Sequence, residues 1–280
     1  MSADFLPYFR KETENMIILS KILTENPKYE NVTERITNAL CKNKEIPVFI
    51  CGTKDIWMRD FMPIKTKSGK YISFRYEPSY LKDFPELRTD YADIDIPISV
   101  IASNTNLDGG NVVFSPSKEK AIISGRVFAE NPEYKKEPLI KELENLLEAK
   151  IFIIPSLKSD LTGHTDGMVR FIDENTVIAN EPKSKYCFEA RIIKELKKFG
   201  FDVIPFPYFY SRGISAIGTY INYLETEKAI YLPTFGCEKD QETIKKATEI
   251  FEKEIMPIDI KEIAIQGGCL NCITWEMEAL

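Results

Sequence analysis

The chain has 280 residues, 44% hydrophobic and 29% charged, the composition of an ordinary globular protein with enough apolar residues for a sizeable core. Its net charge of −6 and pI of about 5.2 exclude the basic stripe that neutralises nucleic-acid phosphates, and lean toward a cationic partner. No apolar run reaches the ~18 residues that span a bilayer, the first residues lack a secretion signal's basic-then-apolar pattern, and the six cysteines lie mostly in apolar stretches, so the sequence reads as a cytoplasmic protein with reduced thiols and no membrane partner.

Taken in order, apolar spacing predicts a helix over 14–23, a second over 31–42 and a strand over 46–51. The stretch Asp55-Ile56-Trp57-Met58-Arg59-Asp60 leads into two strand-like runs, 62–65 and 71–76. Residues 78–89 hold two prolines and two aromatics, and read as a long loop placed to cover a site. A strand is expected at 96–102 and a hairpin at 112–115 and 120–124, followed by a helix over 137–149 and a strand over 150–155. Beyond the loop around His164, a hairpin is expected at 168–172 and 176–180, with a helix over 188–199 and a strand over 202–206. A last hairpin at 220–224 and 229–232, a helix over 241–254 and a strand over 262–265 precede Gln266-Gly267-Gly268-Cys269-Leu270-Asn271-Cys272-Ile273-Thr274.

This order repeats. Each unit is strand, polar or glycine-rich loop, hairpin and helix, and the loop-to-strand junctions fall near residues 60, 111, 168, 222 and 272, a spacing of 50–57 residues. Five α/β units without a linker predict one pseudo-symmetric domain over residues 1–280. The symmetry sets the junctions at one end of a common axis, and so gathers Asp60, Asp108, His164, Asp166 and Cys272 into one pocket.

The chemistry of that set is specific. His164 is the only histidine, and histidine is the usual proton carrier near neutral pH. Cys272 offers a nucleophile, but only as a thiolate. Three aspartates around it oppose ionisation unless a cation sits between them. A guanidinium fits, because its planar N–H fork pairs bidentately with carboxylates while its central carbon faces the sulfur. The spacing Cys269-x-x-Cys272 also matches a redox or metal pair, but supplies only two ligands and precedes a strand rather than opening a helix.

The stretches Trp57-Met58-Arg59-Asp60, Asp108-Gly109-Gly110-Asn111, Gly163-His164-Thr165-Asp166-Gly167 and Gly267–Thr274 resemble the agmatine deiminase and bacterial Porphyromonas-type peptidylarginine deiminase family, in order and over most of the chain. The resemblance implies a five-bladed α/β propeller, the pentein fold of the guanidine-modifying superfamily. It implies deimination of a small guanidine to a ureido product and ammonia, with Cys272 as nucleophile, His164 as acid and base, and Asp60 and Asp166 on the guanidinium. Asp108 stands where glutamate is usual and would orient the histidine or bind substrate, with Trp57 and Arg59 as further substrate contacts. Arg59, Arg75, Arg170 and Arg212 are each candidates for a substrate carboxylate, and Trp57 and Trp275 either flank the guanidinium or fill the core. No metal or organic cofactor is implied, and a homodimer is compatible with the family. Asn271 departs from the histidine common before the nucleophile, and Cys269 from a glycine. Peptidylarginine deimination, amidino transfer or dihydrolysis, and a non-catalytic guanidinium-binding module are the alternatives.

Overall fold

The computed structural model describes residues 16–157, 160–211 and 213–277. Its strands form five three-stranded sheets of one plan. In each, a short inner strand pairs antiparallel with a central strand, which pairs parallel with an outer strand. A parallel partner requires a crossover, and in four of the five blades that crossover contains a helix. Blade two is β3 (Ile64–Lys65), β4 (Tyr71–Arg75) and β5 (Val100–Asn106). Blade three is β6 (Val112–Phe114), β7 (Lys120–Ser124) and β8 (Lys150–Ile154), with the crossover helices α4 (Arg126–Glu130) and α5 (Lys136–Leu147). Blade four is β9 (Val169–Phe171), β10 (Thr176–Asn180) and β11 (Asp202–Phe206), with α6 (Phe188–Lys198). Blade five is β12 (Leu224–Glu225), β13 (Ala229–Thr234) and β14 (Glu254–Asp259), with α7 (Lys239–Ile250).

Blade one draws on both ends of the described chain. Its central strand β1 (Met16–Ser20) lies between β2 (Ile46–Ile50) and the last strand, β15 (Trp275–Met277), with α1 (Ile22–Glu25) and α2 (Glu30–Lys42) in the crossover. Pairing of Met16 with Met277 and of Ile18 with Trp275 joins the two ends in one sheet, and carries the segment before β15, with Cys272, to the residues around Asp60.

The helices form where apolar residues recur every fourth position. Val32, Ile36 and Leu40 on α2, and Leu139, Leu143 and Leu147 on α5, are at most 1% exposed. Burying each such side chain stabilises the fold by about 1.5–3 kcal/mol, so the stripe fixes which face of the helix turns inward.

The structure corrects several expectations about elements; the first arm of the hairpin expected at 220–224, for one, is the two-residue strand β12. Residues 16–20, expected within a helix over 14–23, are the fully buried strand β1. A short run apolar on every side has no period to distinguish helix from strand, and the pairing on both edges decides it. The outermost strand of blade five is β14, not 262–265, and residues 261–264 are helical as α8 (Lys261–Ala264). Pro257 in β14 disguises the strand, and is tolerated because β14 is an edge strand. The strand expected at 96–102 is β5, shifted by about one helical turn's length of chain to Val100–Asn106, with a bulge between Phe74 and Arg75 of its partner.

Blade two has no long crossover helix. The segment expected to be a covering loop, 78–89, carries two single-turn 3-10 helices, Ser79–Leu81 and Pro85–Leu87, with a third, Tyr91–Asp93, just beyond it, and lays Tyr80, Leu81 and Leu87, beside Tyr76, on the wall of a cavity.

Candidate active site

The five junctions before the inner strands meet at one end of the propeller axis. Asp60 lies in a one-turn helix, α3 (Met58–Phe61); Asp108 precedes the 3-10 turn Gly109–Asn111; His164 precedes the 3-10 turn Thr165–Gly167, which contains Asp166. Asn222 and Cys272 stand before β12 and β15. Hydrogen bonds tie neighbouring junctions together. Arg59 N–H donates to the Cys272 carbonyl at 3.0 Å and Asn271 N–H to the Asn222 carbonyl at 3.3 Å. Thr165 Oγ1 donates to Asn111 Oδ1 at 3.0 Å, and Ser124 Oγ to the Gly163 carbonyl at 2.7 Å.

Asp60, His164, Asp166, Asn222 and Cys272 line a cavity of about 310 Å³. His164 is 7% exposed and its Nε2 lies 2.7 Å from Asp108 Oδ2, which also accepts from the Tyr80 hydroxyl at 3.0 Å. The shorter aspartate therefore reaches the imidazole. His164 Nδ1 is 3.4 Å from Asp60 Oδ1, and that oxygen accepts from Gly110 N–H at 3.1 Å. Cys272, partly accessible, has its Sγ 3.3 Å from Asn222 Oδ1 and 3.8 Å from Asp166 Oδ2. The set closes around Gly110, where a Cβ would lie 2.6 Å from Asp60 Oδ1, 2.8 Å from His164 Nδ1 and 3.4 Å from Asp166 Oδ2. Trp57 packs over Gly268, where a Cβ would lie 2.3 Å from the indole.

Burial and mutual repulsion set the charges. Burial, together with Asp108 and Asp166, pushes the Asp60 carboxyl up to about 8 against the pull of His164. Burial alone would lower the His164 pKa, but attraction by Asp60, Asp108 and Asp166 outweighs it and raises it to about 10. Burial raises the Cys272 thiol well above its usual 9, and Asp166 and Asp60 push the same way. Asp55, on the same wall, is raised to about 7 by burial, although Trp57 N–H donates to it. Among the described residues that line the cavity, none is lysine or arginine, whereas Asp55, Asp60, Asp160, Asp166 and Glu189 are all present. Such a cavity is complementary to a cation with several N–H donors.

Asp60, Asp108, His164, Asp166, Cys272 and Trp57 are therefore brought together as expected, and Arg59 is not. Its guanidinium donates to both Glu276 carboxylate oxygens at 2.7 Å and to the Asn271 carbonyl at 3.2 Å. Adjacent residues of one helical turn diverge by about 100°; Asp60 faces the cavity, and Arg59 faces a second cavity of about 520 Å³ at the other end of the axis. Arg170 and Trp275 also line that second cavity. Arg75 pairs with Glu77 and Glu133 near the surface, and Arg212 lies outside the described residues. The sequence reading missed Asp55, Asn222 and the Tyr80 contact to Asp108. Asn222 was legible as the fourth junction of the repeat; Asp55 has no signal beyond its place beside the first motif.

The profile of the Porphyromonas-type peptidyl-arginine deiminases matches residues 11–277. A provisionally named agmatine deiminase of Shewanella sp. (strain W3-18-1) is 26% identical over 223 residues, 68% of this chain and 59% of that protein. Another, from Lactococcus lactis, is 32% identical over 91 residues, 32% of this chain and 25% of that protein. The chain thus spans between a quarter and about three-fifths of these two relatives' lengths. The agmatine deiminase of C. jejuni has the same fold, with a TM-score of 0.76 at 20% identity over 95% of this chain and 93% of that one. Five like blades, four motifs at their junctions and a family match over almost the whole length have one consequence: the chain belongs to the Porphyromonas-type peptidyl-arginine deiminase family.

Proposed function

We propose that this chain is one guanidine-modifying domain that hydrolyses a small cationic guanidine to a ureido compound and ammonia, with Cys272 as nucleophile. The observation that carries this reading is the placing of a partly accessible thiol beside Asp60, Asp166 and His164 in a cavity without a described lysine or arginine. In the free protein burial, with Asp166 and Asp60 beside the sulfur, holds the thiol protonated. A guanidinium between Asp60 and Asp166 offsets their charge and favours the thiolate, the thiol's proton passing to solvent water at the partly accessible sulfur. The sulfur then bonds to the guanidinium carbon. His164, its Nε2 held by Asp108, protonates the departing nitrogen through Nδ1, and ammonia leaves an S-amidino adduct. Water adds to that carbon and gives its proton to His164. The C–S bond breaks, and the thiolate and the ureido product separate.

The cavity mouth bears on the substrate's tail. Its described charges are Asp160 and Glu189, and Leu161, Tyr210 and Ile214 on its rim are more than half exposed. This favours a neutral or cationic tail, as in agmatine, over the carboxylate of free arginine. Ammonia and ureido product should be assayed with agmatine, arginine and a peptide with an internal arginine. Agmatine turnover, lost in Cys272→Ser and kept in Cys269→Ser, is the expected result. No turnover of any guanidine overturns the reading, and equal loss in the two cysteine variants shifts it to the Cys269–Cys272 pair.

A further inference from the structure

Asn271 lies between the two cavities with each end of its amide on a charged partner. Nδ2 donates to Asp166 Oδ2 at 2.7 Å, and Oδ1 accepts from Arg170 Nη1 at 2.9 Å. A guanidinium cannot accept and an ionised carboxylate cannot donate, so both bonds form in only one orientation of the amide. The residue is 5% exposed, which leaves water little access to replace either bond. Its main chain is held as well, through Asn271 N–H to the Asn222 carbonyl and Arg59 Nε to the Asn271 carbonyl at 3.2 Å. Arg170 is equally constrained. Its Nη1 also donates to the Tyr223 carbonyl at 3.3 Å, its Nη2 is 3.9 Å from Glu225, and its guanidinium stacks 4.6 Å from the centre of the Tyr223 ring.

The oxygen that Asn271 holds, Asp166 Oδ2, is the one 3.8 Å from Cys272 Sγ. With one lone pair of Oδ2 occupied, the plane of the carboxylate is set, and Oδ1 is left for a ligand. We propose that Asn271 is a positioning residue: anchored by Arg170, it locks the Asp166 carboxylate in the orientation that holds a guanidinium beside Cys272. This rests on the function proposed above. It also explains why a neutral amide suits the position. Aspartate would keep an acceptor for Arg170 but lose the donor and set a second carboxylate against Asp166. Leucine, of similar size, supplies neither. A neutral histidine supplies one donor and one acceptor.

The test is steady-state kinetics on agmatine for the wild-type protein, Asn271→Asp, Asn271→Leu, Asn271→His and Arg170→Gln. Loss of a hydrogen bond to a charged group should raise KM by about tenfold or more in Asn271→Asp and Asn271→Leu, with a smaller change in kcat. Asn271→His should recover most of that loss, and Arg170→Gln should raise the same parameter by a smaller factor. A wild-type KM in folded Asn271→Leu, or Asn271→His no better than Asn271→Leu, overturns the proposal. If the position 271 variants do not fold, an unchanged KM in Arg170→Gln overturns it. A second readout does not need turnover. The pH profile of Cys272 alkylation by iodoacetamide should move to lower pH in Asn271→Leu, because Asp166 is no longer held against the sulfur; Asp60, the other carboxyl acting on the thiol, is untouched. Failure of the wild-type protein to deiminate any guanidine refutes the proposed function, whereas an unmoved alkylation profile in a folded variant refutes the role of Asn271.

Discussion

Replacing Asp166 by asparagine should move activity and thiol reactivity in opposite directions. The substitution keeps the shape of the side chain, and its carbonyl can still accept from Asn271 Nδ2, but it removes a negative charge 3.8 Å from Cys272 Sγ. At an effective dielectric constant of about 20, a unit charge at that distance acts on the thiolate with about 4 kcal/mol. At about 1.4 kcal/mol for each pH unit, the Cys272 pKa should fall by about 3. At a fixed pH of about 8 the thiolate fraction then rises steeply, although a less basic thiolate is also a weaker nucleophile, which leaves a net gain of about 50-fold in alkylation rate. The assay follows the Cys272-containing peptide by mass spectrometry after timed exposure to iodoacetamide. Cys269, fully buried, serves as the internal control for unfolding. Turnover of a guanidine should fall by about 100-fold or more in the same variant, because a charged clamp on the cation is gone. An alkylation rate within about threefold of wild type would refute the view that Asp166 holds the thiol protonated.

Three further outcomes follow from the same geometry. Stability should decline as pH rises: the folded state retains a proton on Asp60 up to about 8, where the unfolded chain releases it near 3.8, and on His164 up to about 10, where the unfolded chain releases it near 6.5. Both contributions are complete at low pH and fade between about 4 and 10, so Tm should be higher at pH 6 than at pH 9, with a smaller difference in Asp60→Asn; a Tm that rises over that window would contradict the assigned shifts. Gly110→Ala should leave circular dichroism unchanged but lower kcat/KM by about 100-fold, since its methyl would displace Asp60 and His164, and activity near wild type would show that this convergence is not required. Arg59→Met should lower Tm through loss of the paired contact to Glu276, with a rise in KM smaller than that of Asn271→Leu, because Arg59 reaches the site only through the Asn271 carbonyl; a larger rise would return Arg59 to the substrate.

The propeller was legible because its information is periodic. Helices such as α5 announce themselves by leucines at every fourth residue, and the hairpins by short apolar runs around polar turns. The spacing of the junctions then predicts that residues far apart in sequence share one axis, and Asp60, His164, Asp166 and Cys272 do share one cavity, with Asp108 bonded to the imidazole behind it. What was not legible depends on partners that no local pattern names. Met16–Ser20 is a strand because β2 and β15 lie on its two edges, and its apolar run Met16–Leu19 carries no period of its own.

The sequence by itself determined the blade count, the order of the motifs and the residue types that meet at the axis. Tertiary structure alone decided which way neighbouring side chains point. Asp60 and Arg59 are adjacent, yet one faces the thiol and the other pairs with Glu276 at the opposite mouth. Asn222, a residue type with no chemistry to single it out, stands 3.3 Å from the Cys272 sulfur because its blade brings it there. The physical reason is that repetition in a chain fixes where backbone junctions converge, whereas the direction of a side chain at a junction is set by the last turn of backbone and by the partners packed around it.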